Sequence, residues 1–172
     1  MGSVSSVFNE EADMSSPHSQ SPYSPNPAET KLVARALRCL EKRLRYHSEI
    51  LNNSQDVRAY LRLHLAEERN EVFAVLFLDS QHRLLAFEKL FVGTINQSMI
   101  YPRVIVQKVL EHNAAKIIFA HNHPSGNCEP SQDDKEITRN LKPIFSILNI
   151  ALLDHIIVSH IDTFSFAENG LM

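Results

Sequence analysis

The segment Ala120-His121-Asn122-His123-Pro124-Ser125-Gly126-Asn127-Cys128-Glu129-Pro130-Ser131-Gln132-Asp133-Asp134 is the densest cluster of side chains able to hold a metal or move a proton. His121 and His123 stand two apart at the end of an extended stretch. Strand side chains alternate with period two, so both imidazoles point to one side and can share one metal ion. A catalytic zinc takes three nitrogen or oxygen ligands from the protein and keeps a fourth position open, so a third ligand has to return from elsewhere. Asp134 is the candidate. Pro124-Ser125-Gly126 turns the chain, and Pro130-Ser131 opens a helix whose first turn carries that carboxylate back over the histidines. The spacing Ser131-x-x-Asp134 equally suits a capping box, in which both side chains serve only the first amides of the helix. Cys128 lies in the same loop and could in principle offer a thiolate. His155 follows a run of apolar residues and reads as a hydrogen-bonded supporting histidine, because a fourth protein ligand would close the site.

A strand must end at this segment and a helix must leave it. Ala115 to Ala120 reads as a short buried strand, and the helix opened by Ser131 runs to about Leu148, with Pro143 as a kink. Upstream, Leu32, Val33, Ala36, Leu37, Leu40 and Leu44 recur at helical period opposite Arg35, Arg38, Lys42 and Arg45. This predicts an amphipathic basic helix and connector over residues 29–54. Its charged face is either solvated or a contact for nucleic acid or another acidic partner. Ser54 caps a second helix through Val57, Tyr60, Leu61 and Leu65. Val72 to Leu78 is a continuous apolar run, followed by turn residues Asp79 to His82 and a second extended stretch from Leu84 to Val92, which together read as a hairpin. Pro102 opens a helix through Val106, Val109 and Leu110. Strands at Ala151 to Ser159 and Thr163 to Ala167 close the chain. The order β-β-α-β-α-β-β predicts an α/β fold, a mixed sheet flanked by helices.

Composition narrows the function classes. The chain has 172 residues, 44% hydrophobic and 22% charged, which suits one ordinary globular domain. Four glycines and no G-x-G-x-x-G or G-x-x-x-x-G-K string argue against a glycine-cradled nucleotide site. Two cysteines, with no C-x-x-C pair, exclude a disulfide scaffold or a four-thiolate zinc site and point to a reducing, cytoplasmic compartment. No apolar stretch is long enough to span a membrane. Residues 1–28 hold eight serines and four prolines but no Lys or Arg, which excludes a secretory signal and predicts a disordered tail. The net charge of −3 is carried by Glu10, Glu11 and Asp13 in that tail, so overall charge gives no ground for nucleic-acid binding.

His-x-His, seven residues, then Ser-x-x-Asp resembles the JAMM pattern of the JAB/MPN metalloproteases. Gly93-Thr94-Ile95-Asn96, Tyr101-Pro102-Arg103, the segment from His121 to Asp134 and Leu153-Asp154-His155-Ile156 resemble, in that order, the RadC branch of JAB-domain proteins, and in particular its short forms. The resemblance covers residues 55–172. It implies a JAB/MPN fold similar to cytidine deaminase, one zinc per chain on His121, His123 and Asp134, and Ser131 as a catalytic serine that stabilises an oxyanion. It also implies an upstream strand glutamate as the proton acceptor, for which Glu88 is the matching carboxylate. The implied reaction is hydrolysis of a peptide or isopeptide bond in an unknown protein or peptide substrate. Tyr101 and Val104 stand where the family block usually has histidine and glutamate. Rival expectations are a DNA-associated accessory protein and a catalytically silent zinc module. A zinc deaminase is excluded, since neither His-x-Glu nor Pro-Cys-x-x-Cys occurs.

Overall fold

The computed structural model describes residues 26–46, 54–93 and 100–172. Most of the expected disordered tail, the connector after the first helix, and Thr94-Ile95-Asn96 lie outside the described residues. The elements run α1 (Pro27–Tyr46), α2 (Ser54–Leu65), β1 (Val72–Leu78), β2 (Leu84–Val92), α3 (Pro102–Glu111), β3 (Lys116–Asn122), α4 (Gln132–Ile147), β4 (Ala151–Val158) and β5 (Thr163–Ser165). The strands form one mixed sheet in the order β2-β1-β3-β4-β5, with β3 and β4 parallel and the other pairs antiparallel.

Period-two alternation divides β1 and β3 between two apolar layers. Ala74, Leu76, Ile118 and Ala120 face α1 and α2, where they meet Leu44, Val57, Leu61 and Leu65. Phe73, Val75, Phe77, Ile117 and Phe119 face α3 and α4, against Ile105, Val109, Ile137, Leu141 and Phe145. Burial on both faces explains why β1 reads as an unbroken apolar run.

Three boundaries differ from the sequence expectation, each for a local reason. First, α1 begins at Pro27 instead of Glu29, because Asn26 Oδ1 accepts the Ala28 amide at 2.9 Å and proline needs no amide partner in the first turn. Next, β3 continues past Ala120 to Asn122, so His121 belongs to the strand. Finally, β5 stops at Ser165: the Ala167 amide donates to Asp154 Oδ1 at 2.9 Å instead of to a neighbouring strand. The helix α4 continues through Pro143 to Ile147.

The apolar stripe of α1 is only partly used. Leu44 is buried and Leu37 and Leu40 pack on the core, but Leu32 is 67% exposed. On its basic side Arg43 pairs with Asp56, and Arg45 with Glu41 and the Leu85 carbonyl. Among the described residues no helix is long and apolar enough to cross a membrane.

Candidate metal centre

The parallel β3–α4–β4 crossover creates the site, because its loop leaves the carboxyl end of a central strand, where side chains can converge without filling the core. His121 is the penultimate residue of β3, and His123 lies one residue past its end. Their Nε2 atoms face each other at 3.0 Å. Asn122, between them, points to the opposite face. There its side chain accepts the Val72 amide at 2.7 Å and donates to the carbonyls of Glu68 and Asn70, fastening β3 to the chain entering β1.

Asp134 completes the group. Its Oδ1 is 3.1 Å from His121 Nε2 and its Oδ2 is 3.6 Å from His123 Nε2. The capping box is present as well: the Ser131 hydroxyl accepts the Asp134 amide, while Asp134 Oδ2 accepts from the Ser131 amide at 2.8 Å and from its hydroxyl at 2.6 Å. The two sequence readings of Ser131 and Asp134 are therefore compatible, since the cap holds the carboxylate that faces the histidines. Burial by itself would raise the Asp134 pKa. Interaction with the His121 and His123 imidazoles, which donate to it when their Nε2 atoms are protonated, and then with Ser131, outweighs it and keeps the carboxyl below its ordinary range. The bond to Asp134 raises His123 against the opposing effect of burial.

The donor set fits a metal ion. One atom from each of His121, His123 and Asp134 lies within 4.8 Å of the others. A tetrahedral zinc with bonds of about 2.0–2.1 Å needs ligand atoms roughly 3.3 Å apart, close to the 3.0 Å from His121 Nε2 to His123 Nε2 and the 3.1 Å from His121 Nε2 to Asp134 Oδ1. His123 Nδ1 lies 2.7 Å from the Asn127 carbonyl. A carbonyl can only accept, so Nδ1 carries the proton and Nε2 offers its lone pair. Behind His121, its Nδ1 is 2.8 Å from His155 Nε2, and His155 Nδ1 is 2.6 Å from the Thr138 hydroxyl. Burial, then the nearby His121, holds His155 well below the ordinary imidazole pKa. His155 stacks on Phe166 and touches Phe73 and Phe119.

The remaining candidates fall elsewhere. Glu88 does not come to this corner. It pairs with Val75 across β1, so it shares the face of His121 but sits one strand farther out and two residue levels short. Its carboxylate meets His112 at 2.6 Å and Lys108 at 3.3 Å. The cleft beside the group, about 380 Å³, is lined by the carboxylates of Glu71, Glu129 and Asp133, together with His123, Asn127, Ser131 and Asp134. Glu71 lies two residues before Phe73, the partner of His121, its charge acts on His123, and the Gly93 amide donates to its carbonyl at 2.9 Å. Sequence reasoning missed Glu71; the signal was a carboxylate immediately before a buried strand. The thiol of Cys128 donates to the Asp162 carbonyl and is not part of the donor group. Gly126 has φ +89°, and any Cβ there would meet the His160 ring at 2.6 Å, so only glycine makes this turn of the ligand loop.

The sequence model of the RadC-like JAB domain matches residues 51–171. The chain belongs to this family. It is 50% identical over 137 residues to a UPF0758 protein of Methylibium petroleiphilum, a stretch covering 80% of this chain and 61% of that protein. It is 44% identical over 146 residues to the UPF0758 protein YkfG of Escherichia coli, covering 85% and 92% respectively. A UPF0758 protein of Idiomarina loihiensis is 51% identical over 116 residues, covering 67% and 52%. The chain thus spans about three fifths of the longer relatives and nearly all of YkfG. The mixed sheet with helices on both faces agrees with the α/β fold expected of a RadC-like JAB domain.

Proposed function

We propose that this RadC-like JAB domain is a zinc-dependent metallohydrolase that cleaves a peptide or isopeptide amide bond. The observation carrying this reading is the convergence of three metal-ligating atoms within 4.8 Å at the edge of a cleft that also holds the carboxylate of Glu71. Zinc on His121, His123 and Asp134 supplies a Lewis acid and an activated water at neutral pH. Glu71, instead of Glu88, accepts the proton of the attacking water and returns it to the leaving amine, because Glu71 is the cleft glutamate whose charge acts on His123, while Glu88 is engaged with His112 and Lys108. Ser131 orients Asp134 in the resting state. Rotation of its hydroxyl toward the cleft makes it a donor to the oxyanion formed at the carbonyl carbon. Two unpaired cysteines support a reducing compartment, the cytoplasm.

The test joins elemental analysis to a screen of peptide and isopeptide substrates. The parent should carry about one zinc and hydrolyse a member of the screen. Glu71→Gln should keep zinc but lose about 10²-fold or more in turnover, whereas Glu88→Gln should stay within about twofold of the parent. A Glu71→Gln variant with parental turnover would remove Glu71 from the mechanism.

A further inference from the structure

We propose that Thr138 and His155 are positioning residues that fix which nitrogen of His121 bears its proton, so that the His121 Nε2 lone pair is offered to the metal. The inference rests on the reading of this corner as a metal centre. It concerns two side chains that do not touch the ion.

The argument starts at the Thr138 hydroxyl, which has one proton and two neighbours. Its Oγ1 lies 2.8 Å from the Asp134 carbonyl and 2.6 Å from His155 Nδ1. The carbonyl can only accept, so the hydroxyl proton goes there and Oγ1 must accept from His155. The His155 proton is then on Nδ1, and a neutral imidazole with Nδ1–H has its lone pair on Nε2. That lone pair, 2.8 Å from His121 Nδ1, accepts the His121 proton. The His121 Nε2 lone pair is consequently directed at His123 Nε2 and Asp134 Oδ1, the other candidate ligand atoms.

The reversed chain is the alternative. If Thr138 gave its proton to His155 Nδ1, His155 Nε2–H would donate to His121 Nδ1, and His121 would present Nε2–H to Asp134 Oδ1, closing the site to a cation. The two polarities differ in where one hydroxyl proton goes, and the Asp134 main-chain carbonyl selects the first. Water has no part in the choice, because His155 and Thr138 are each 1% exposed and aromatic rings flank His155. Asp134 therefore acts at both ends of the chain: its carboxylate faces the metal position and its carbonyl orients the proton that frees the other ligand. Partners behind ligating histidines commonly influence metal affinity by about 10- to 100-fold.

The experiment uses the full chain with Thr138→Val, which keeps shape and removes the hydroxyl, and Thr138→Ser, which restores it. Zinc affinity is measured by competition with a chromophoric chelator, and thermal melting checks the fold. Long-range ¹⁵N NMR reads the imidazole protons. Thr138→Val should bind zinc about 10- to 100-fold more weakly, while Thr138→Ser stays within about threefold of the parent. The zinc-loaded parent should show His155 protonated at Nδ1, and metal-free Thr138→Val should show it protonated at Nε2. A folded Thr138→Val with parental affinity, or a zinc-loaded parent with His155 protonated at Nε2, would overturn the inference and leave the metal centre standing. A parent that binds no zinc overturns both. If Thr138→Val fails to fold, the parent spectrum and the Thr138→Ser affinity still decide.

Discussion

On the α3 and α4 side of the sheet, His112 meets Glu88 at 2.6 Å, and farther in His121 and His123 meet Asp134 at 3.1 and 3.6 Å. Both groupings combine imidazole and carboxylate, yet their surroundings differ. Beside Glu88 stands Lys108, which also pairs with Glu111 at 2.9 Å, so cations already satisfy the carboxylates of a half-exposed cluster. At the inner corner, among the described residues, no lysine or arginine pairs with Asp134, and each histidine has its Nδ1 occupied from behind. A histidine next to a carboxylate is common. What makes a candidate metal centre is several acceptors sharing a space with no cation already in it.

The sharpest way to break this contrast is to remove a donor from each group. His121→Ala or His123→Ala should abolish stoichiometric zinc by elemental analysis, whereas His112→Ala should retain it; equal retention in all three would erase the distinction. Asn122→Ala tests the clamp that fastens the strand carrying the inner group. It strands the buried Val72 amide and two carbonyls, so chemical denaturation should show a loss of about 3 kcal/mol. A loss under about 1 kcal/mol would mean that the asparagine does not fasten the strands. Glu88→Gln should move the melting temperature by only a few degrees, less still in high salt, because its partners are partly solvated and screened.

The smallest effect comes from Tyr60, on the opposite face, where burial perturbs a group without making a site. Burial, then Glu41, with Arg45 opposing, raises its pKa from 10.0 to about 12. The folded state holds that proton longer than the unfolded chain does. Its contribution to stability is therefore complete below pH 10.0 and is lost as pH rises toward about 12. Ultraviolet titration should show one late-ionising phenol that disappears in Tyr60→Phe; four tyrosines titrating together would contradict it.

The legible parts of this molecule are those that depend on short stretches of chain. His121, His123 and Asp134 were found from alternation along one strand and from a helix start, both local rules. The two layers followed from the periods of β1, α2 and α4. The carboxylate proposed as proton acceptor is not local: whether Glu71 or Glu88 lies nearer the histidines depends on the β1–β3 register and on how far out β2 sits, and neither is written in the residues around them. Glu88 shares the face of His121 but lies on β2, where it meets His112. The α1 stripe misled in a similar way, because helical period marks an apolar side without saying how much of it finds a partner. Leu44 did, and Leu32 did not.

The Asn122 clamp also bears on the order of assembly. The ligands lie close together in sequence, from His121 to Asp134, while the clamp joins Asn122 to Val72 across fifty residues. Contacts between distant parts of a chain cost more loop entropy to close than neighbouring ones do. A nascent or partly folded chain can therefore gather His121, His123 and Asp134 before it acquires Glu71, and under the proposed function hydrolytic competence would wait until β1 has zipped onto β3. For such a hydrolase the topology would act as a safety catch, keeping a newly made molecule inert toward itself and its neighbours until the sheet is whole.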